Sequence, residues 1–135
     1  MITPVRREAT AAEMEAATGS TQMVTPRRVN DSPSASKGWV LFNGTGTLSV
    51  LASHNVSSVA DNGTGDYTVN WNTDFSSASY CAVCSTANNG AGEFTCIFKT
   101  PGTYYLAGSV TVNTYTTAPA LVDSARVTVA AFGDQ

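Results

Sequence analysis

From Gly38 onward, apolar and polar residues alternate, and Gly, Asn, Asp and Pro break the pattern at short intervals. A period of two is the side-chain rhythm of a half-buried strand. "GWVLFNG", "TLSVLASHNVSSV", "GDYTVNWNT", "SYCAVCST", "GEFTCIFKT", "TYYLAGSVTVNTY" and "SARVTVAAF" all read as strand-like runs rich in Val, Thr, Tyr and Phe. In "YTVNW", Tyr67, Val69 and Trp71 share one face, and Thr68 and Asn70 share the other. "DNGTGD" at 61–66, "ANNGAG" at 87–92 and "KTPGT" at 99–103 read as turns, because Asn and Gly tolerate positive φ. About seven or eight short strands at this spacing predict an all-β fold, with a β-sandwich or jelly-roll-like body over residues 38–135.

Residues 1–37 follow another rule. In "EATAAEMEAATGSTQ", Thr10 is an N-cap with Glu13 three residues on, which is a capping box. Ala, Met and Glu favour helix, and Gly19 predicts its end near Thr18. A helix of about two turns does not stand alone in water. Its one large apolar residue, Met14, must pack on the body or on copies from other chains. "SPSAS" at 32–36 reads as a linker. The segment also repeats itself: "ITPVRR" at 2–7 returns as "VTPRRV" at 24–29. Pro fixes φ and pushes the residue before it into an extended shape, so "[IV]TP" predicts an extended linker with solvated or paired arginines. Repeats without a core of their own normally need neighbours.

Composition narrows the function classes. Charged residues are only 13% of the chain, about half the usual share, while 42% are hydrophobic, so a folded body is expected and disorder is not. Ser, Thr, Asn and Gly replace the missing charge. Hydroxyls and amides both donate and accept hydrogen bonds, as sugar recognition requires. Of seven basic residues, Arg6, Arg7, Arg27, Arg28 and Lys37 precede Trp39. The body therefore carries no basic stripe for nucleic acid. No apolar run approaches the ~20 residues of a membrane span, and no signal-peptide core opens the chain, so membrane insertion and signal-dependent export are not expected.

Catalytic and metal chemistry are hard to assemble. "CAVC" lies in a strand-like run, where Cys81 and Cys84 point to opposite faces, so with Cys96 they are expected as buried free thiols. His54 is the single histidine, and no nucleophile-elbow motif accompanies it. Asp61, Asp66, Asp74 and Glu93 sit in or beside turns, where acids commonly bind backbone N–H groups. "DNGTGD" is too sparse in oxygen ligands for a calcium loop. The chain is expected to be no enzyme and to hold no cofactor or metal. The Asn-x-Ser/Thr sequons at Asn30, Asn43, Asn55 and Asn62 read as compositional. Most aromatics follow strand alternation and read as core or subunit interface, Tyr104 among them. Tyr105 and Tyr115 are the better prospects for exposure. Asn88, Asn89, Asn113 and Tyr115 are expected as loop-borne recognition residues, since binding groups favour loops on rigid scaffolds.

A family resemblance adds to this. "ITPVRREATAAEMEAATGSTQMVTPRRV" resembles the shaft-linker repeat of bacteriophage tail fibres: a short Ala/Thr/Glu-rich helix, a Gly-Ser/Thr turn, then [VI]TP and a basic or apolar residue. The stretch from Lys37 to Trp71 is similar to a small terminal domain of phage tail proteins. The shared features are W-x-x-F-N-G-T-G (Trp39 to Gly46), S-x-N-V-S-S (Ser53 to Ser58) and D-N-G-x-G-x-Y-T-V-N (Asp61 to Asn70). "VTVAAFGDQ" matches the usual ending. The resemblance covers almost the whole chain and is weakest over "SYCAVCSTANNGAGEFTCIFK", where binding specificity would then reside. It implies a homotrimeric structural component of a tail fibre or tail tip, made in the host cytoplasm and carried in the virion. Its partners would be other tail or baseplate proteins and host surface polysaccharide. Full fibres carry a long anchoring part, whereas this chain starts inside a repeat. It is expected to be a fragment, or a small product attaching through residues 1–30, with Arg6, Arg7, Arg27 and Arg28 as attachment candidates. A purely architectural adaptor or decoration protein, and a stand-alone carbohydrate-binding module or small hydrolase, are the alternatives.

Overall fold

A computed structural model describes residues 7–17, 22–87, 94–99, 103–118 and 120–135. The chain divides into two compact units, Met1–Ser36 and Lys37–Gln135.

In the first unit, helix α1 spans Ala11–Ala16, and the capping box forms as expected. The Thr10 hydroxyl accepts the Glu13 N–H, and the Glu13 carboxylate accepts the Thr10 N–H. The helix stops at Ala16, with Ala17 left-handed at φ 51°, while Thr18 and Gly19 lie outside the described residues. The second repeat departs from the extended linker expected of it. Thr25 is extended, but Pro26–Val29 winds into a short helix, α2. Pro26 takes the first helical position, where its missing N–H is no loss. The residues that flank the two repeat copies also meet within one chain. Glu8 and Met23 form a parallel bridge, in which Ala9 N–H donates to Met23 O (3.0 Å) and Met23 N–H donates to Arg7 O (3.1 Å).

The capping box carries a pH prediction. The Arg7 guanidinium, and then the Thr10 N–H, hold the Glu13 carboxyl down at about 2, against an ordinary 4.5. A depressed folded pKa means stabilisation that is complete above 4.5 and is lost as pH falls through about 2. The Thr10 and Glu13 amide resonances should therefore hold their folded positions at pH 5 and move in one acid step centred near 2. A step centred near 4.5 would show that the cap is not formed.

Among the described residues, the second unit is an antiparallel sandwich of nine strands: β1 Gly38–Asn43, β2 Ser49–His54, β3 Val56–Gly63, β4 Asp66–Trp71, β5 Cys81–Thr86, β6 Phe94–Phe98, β7 Tyr105–Leu106, β8 Ser109–Thr116 and β9 Val127–Phe132. Sheet 1 runs in the order β2-β1-β9-β5. Sheet 2 runs β3-β4-β8-β6, with β7 also paired to β8. "TLSVLASHNVSSV", which alternates like one strand, is two. The chain passes from sheet 1 to sheet 2 at Asn55, a left-handed residue at φ 54°. Asn tolerates that backbone, and its amide fastens the corner. Nδ2 donates to Lys37 O (2.9 Å) and Thr73 O (3.2 Å), and Oδ1 accepts Thr73 N–H (2.8 Å).

The inner faces of the two sheets make the core. Val40, Phe42, Val127, Val129 and Ala131 come from sheet 1, and Tyr67, Val69, Trp71, Val110 and Val112 from sheet 2, all buried. Phe75 and Tyr80, from the connection after β4, stack at 4.0 Å and close one end beside Trp71. The "YY" pair splits across two faces, but in the opposite sense to expectation. Tyr105 packs on Tyr80 and Phe98 and donates its hydroxyl to Tyr80 O (2.8 Å), while Tyr104 is exposed. The reason is register: Tyr105 lies opposite buried Val110, so it must share the inner face. Cys81 also departs from the buried thiol expected. It lies opposite Phe132 on the outer face and is exposed. The expected turns at 87–92 and 99–103 fall mostly outside the described residues.

Candidate functional site

Alternation assigns the outer face of sheet 2 residue by residue. On β4, Tyr67, Val69 and Trp71 point inward, so Asp66, Thr68 and Asn70 point outward. On β8 the outward set is Thr111, Asn113 and Tyr115. Cross-strand pairing aligns these groups into rows: Ser58 with Asn70, Ala60 with Thr68 and Thr111, and Asp66 with Asn113 and Ile97.

Hydrogen bonds join the rows. Asn70 Nδ2 donates to Ser58 Oγ (3.0 Å), and the Thr68 and Thr111 hydroxyls share a bond of 2.9 Å. Asn62 Nδ2 reaches Thr68 Oγ1 (2.9 Å) and Asp66 Oδ1 (3.3 Å). Lys99, just past β6, donates Nζ to Asp66 Oδ2 at 2.5 Å and lies 4.6 Å from the centre of the Tyr104 ring. Hydrogen bonding to Asp66 raises the Lys99 pKa, so the ammonium stays charged at neutral pH. The Tyr104 ring is 42% exposed beside it. The result is a polar ladder of hydroxyls, amides and one ion pair, with an aromatic ring at its side. Thr111 and Asn113 are buried within it, and the donors, acceptors and stacking surface it presents come from Asp66, Thr68, Asn70, Lys99 and Tyr104; among the described residues it holds no activated nucleophile and no pair of free carboxylates. His54 is exposed at the edge of sheet 1, opposite Trp39. Among the described residues no three His, Cys, Asp or Glu side chains gather as a metal site.

The expected recognition residues fare differently. Asn113 is no loop residue. "NTYTT" continues the alternation of "SVTV", so β8 runs on to Thr116, and Asn113 is 3% exposed. Its Nδ2 donates to Gly65 O (3.0 Å) and so fixes the β3–β4 turn. Tyr115 is half-buried in the same strand, bridged to Leu121. Asn88 and Asn89 lie outside the described residues, as does Arg6. Arg7 is ion-paired with Glu13, and Arg28 pairs with Asp31 (2.8 Å) and Glu8 (3.3 Å), so both serve the fold of their own unit. Arg27 is exposed. Asp66, Lys99 and Tyr104 were not expected as site residues. The signal for Asp66 was present, since it extends the Thr68 and Asn70 face by one step.

The outer face of sheet 1 is of another kind. One row runs His54, Trp39, Ala130 and Val83, with Ala52, Leu41, Thr128 and Ser85 beside it. Trp39 is 38% and Val83 51% exposed, and no Asp, Glu, Lys or Arg stands in either row. Two sheets of one body thus present a polar ladder on one side and, on the other, a face without Asp, Glu, Lys or Arg in these rows that is apolar at Trp39, Leu41, Ala52, Val83 and Ala130. Compared with known proteins, the chain matches no family model, no curated protein and no solved structure.

Proposed function

We propose that this chain is a non-enzymatic structural component of a phage tail fibre or tail tip whose β-sandwich head contacts host surface polysaccharide. The observation that carries the contact role is the polar ladder of sheet 2 with the exposed Tyr104 ring. Sugar hydroxyls need paired donors and acceptors, and a pyranose face needs an aromatic to stack on. The fibre reading rests on the repeat and terminal motifs of the sequence. It gives the apolar face of sheet 1 an occupant, a neighbouring copy in a homotrimer. Three weak sites on one fibre would then act together through effective concentration. The same apolar face favours a second reading, an architectural adaptor that binds other tail or baseplate proteins and no glycan.

Two measurements on the full chain test this. Light scattering should give three times the 14.0 kDa protomer mass, and a monomer at high concentration would overturn the trimer. On an array of bacterial surface polysaccharides the wild type should be retained, and Tyr104→Ala should weaken binding about tenfold, as loss of one stacking contact implies. Equal retention of both proteins would move recognition off this face. No retention of either would favour the adaptor.

A further inference from the structure

Cys84 and Cys96 belong to different sheets but face each other. On β5, Cys84 lies opposite Val129, and on β6, Cys96 lies opposite Thr114. Val129 and Thr114 are fully buried, so both cysteines point into the sandwich, and Cys84 and Cys96 each pack against its core. The two strands are the outermost of their sheets on the same side, and their Cα atoms come within 8 Å of one another. A disulfide requires a Cα separation of about 4.4–6.8 Å and side chains aimed at each other. The second condition is met by register, because both residues face inward on edge strands that meet across the sandwich. Cys81 takes no part in this, standing exposed on the outer face.

We propose that Cys84 and Cys96 form a disulfide that joins the two sheets along their open β5–β6 edge when the protein meets an oxidising thiol–disulfide pool. The oxidant is a small-molecule disulfide, RSSR. Cys84 loses its proton to water, and its thiolate attacks one sulfur of RSSR. The S–S bond of RSSR breaks, a Cys84–S–S–R bond forms, and RS⁻ leaves. The Cys96 thiolate then attacks the Cys84 sulfur and expels the second RS⁻. The two cysteines lose two electrons in total, RSSR gains them, and the two protons end on 2 RSH. Interaction with Cys96 lowers the Cys84 pKa, whereas interaction with Cys84, and then burial, raises that of Cys96, which makes Cys84 the first nucleophile. A chain made in a reducing compartment would acquire the bond only on leaving it. This inference stands apart from the proposed function.

The test uses the full chain with glutathione disulfide at pH 8, followed by alkylation and peptide mapping. The expected product is a linked Cys84–Cys96 peptide pair about 2 Da lighter than the two thiols, with Cys81 carrying glutathione or alkyl label. Melting should rise by roughly 10 °C and return on adding dithiothreitol, since the bond closes a short loop of the unfolded chain. In Cys96→Ser, Cys84 should accumulate as the glutathione adduct, because nothing resolves it. The proposal is overturned if Cys84 and Cys96 are both recovered alkylated while Cys81 is glutathionylated. It is equally overturned if fragmentation of the linked peptide places the disulfide on Cys81. Peptide mapping of the wild type decides the matter even where the variant does not fold.

Discussion

Replacing Trp71 by Ala should destabilise the sandwich by about 3–5 kcal/mol, the usual cost of emptying a buried tryptophan site. Trp71 is 4% exposed and touches both layers of the aromatic end. Its ring meets Phe75 and Tyr80 edge-on at centroid distances of 5.6 and 6.2 Å. Its Nε1 donates to Tyr80 Oη (3.1 Å), and that hydroxyl reaches the backbone carbonyls of Leu106 and Ser109. The β1 backbone closes over the ring, because a Cβ at Gly38 would lie 2.9 Å from it. Neither neighbour can collapse far into the space, since Phe75 is stacked on Tyr80 and Gly38 is held in a strand. Total stability is about 5–15 kcal/mol for a domain of this class, so the loss is a large share of it. Urea unfolding should show a midpoint lower by about 2 M with an unchanged slope. Trp71→Phe separates the two contributions. It keeps an aromatic ring in the site but removes the N–H donor together with part of the indole, for a smaller loss of about 1–3 kcal/mol. If the two variants were equally unstable, the hydrogen bond and not the packing would hold this end together.

That core was legible in "YTVNW", because alternation alone puts Tyr67, Val69 and Trp71 on one face. The all-β sandwich followed from the same periodicity repeated along the body. What alternation does not carry is where a strand changes sheet. "TLSVLASHNVSSV" keeps its rhythm through Asn55, and only the left-handed backbone there sends the chain to the other sheet. Nor does it carry register. "YY" had to split, but which tyrosine goes inward depends on the pairing of Tyr105 with Val110 across a hairpin. Asn113 shows a third limit. Its neighbours Thr116 and Ala118 read as loop, yet β4 and β6 pair on either side and hold it in strand. Asp66 was assigned to a turn because turns attract acids, whereas it opens β4 and shares a face with Thr68 and Asn70. In the N-terminal unit the capping box was plain, because its two partners are three residues apart. The pairing of Glu8 with Met23 was not, because the repeat signalled likeness and not contact.

The tip of the β3–β4 hairpin should be the least forgiving backbone position of the body. Gly65→Ala is expected to cost about 4 kcal/mol, combining left-handed strain of about 1 kcal/mol with displaced backbone. Gly65 sits at φ +64°, and an added Cβ would lie 2.7 Å from Thr114 O, 2.7 Å from Val122 N and 2.9 Å from Val122 O. These are main-chain atoms, and they are tied to the same glycine. Thr114 N–H and the Asn113 amide both donate to Gly65 O, at 2.9 and 3.0 Å. Val122 N–H donates to Thr114 O (3.1 Å), and Gly65 N–H donates to Asp123 Oδ1 (2.7 Å). The Asp123 oxygen also accepts the hydroxyl of fully buried Tyr67 (2.8 Å), so shifting the tip disturbs the core beneath it. Gly46 supplies the control. It has nearly the same backbone, φ +65°, but nothing within 4 Å of an added Cβ. Gly46→Ala should therefore cost only the left-handed strain, about 1 kcal/mol. In melting temperature the pair should differ clearly, with a drop of about 15 °C at Gly65 against about 4 °C at Gly46. Equal drops would mean that the tip does not pack on the segment around Val122. The hydrogen bonds from Asn113 and Asp123 would then have no common purpose, and Asn113 would be open again to a role in recognition.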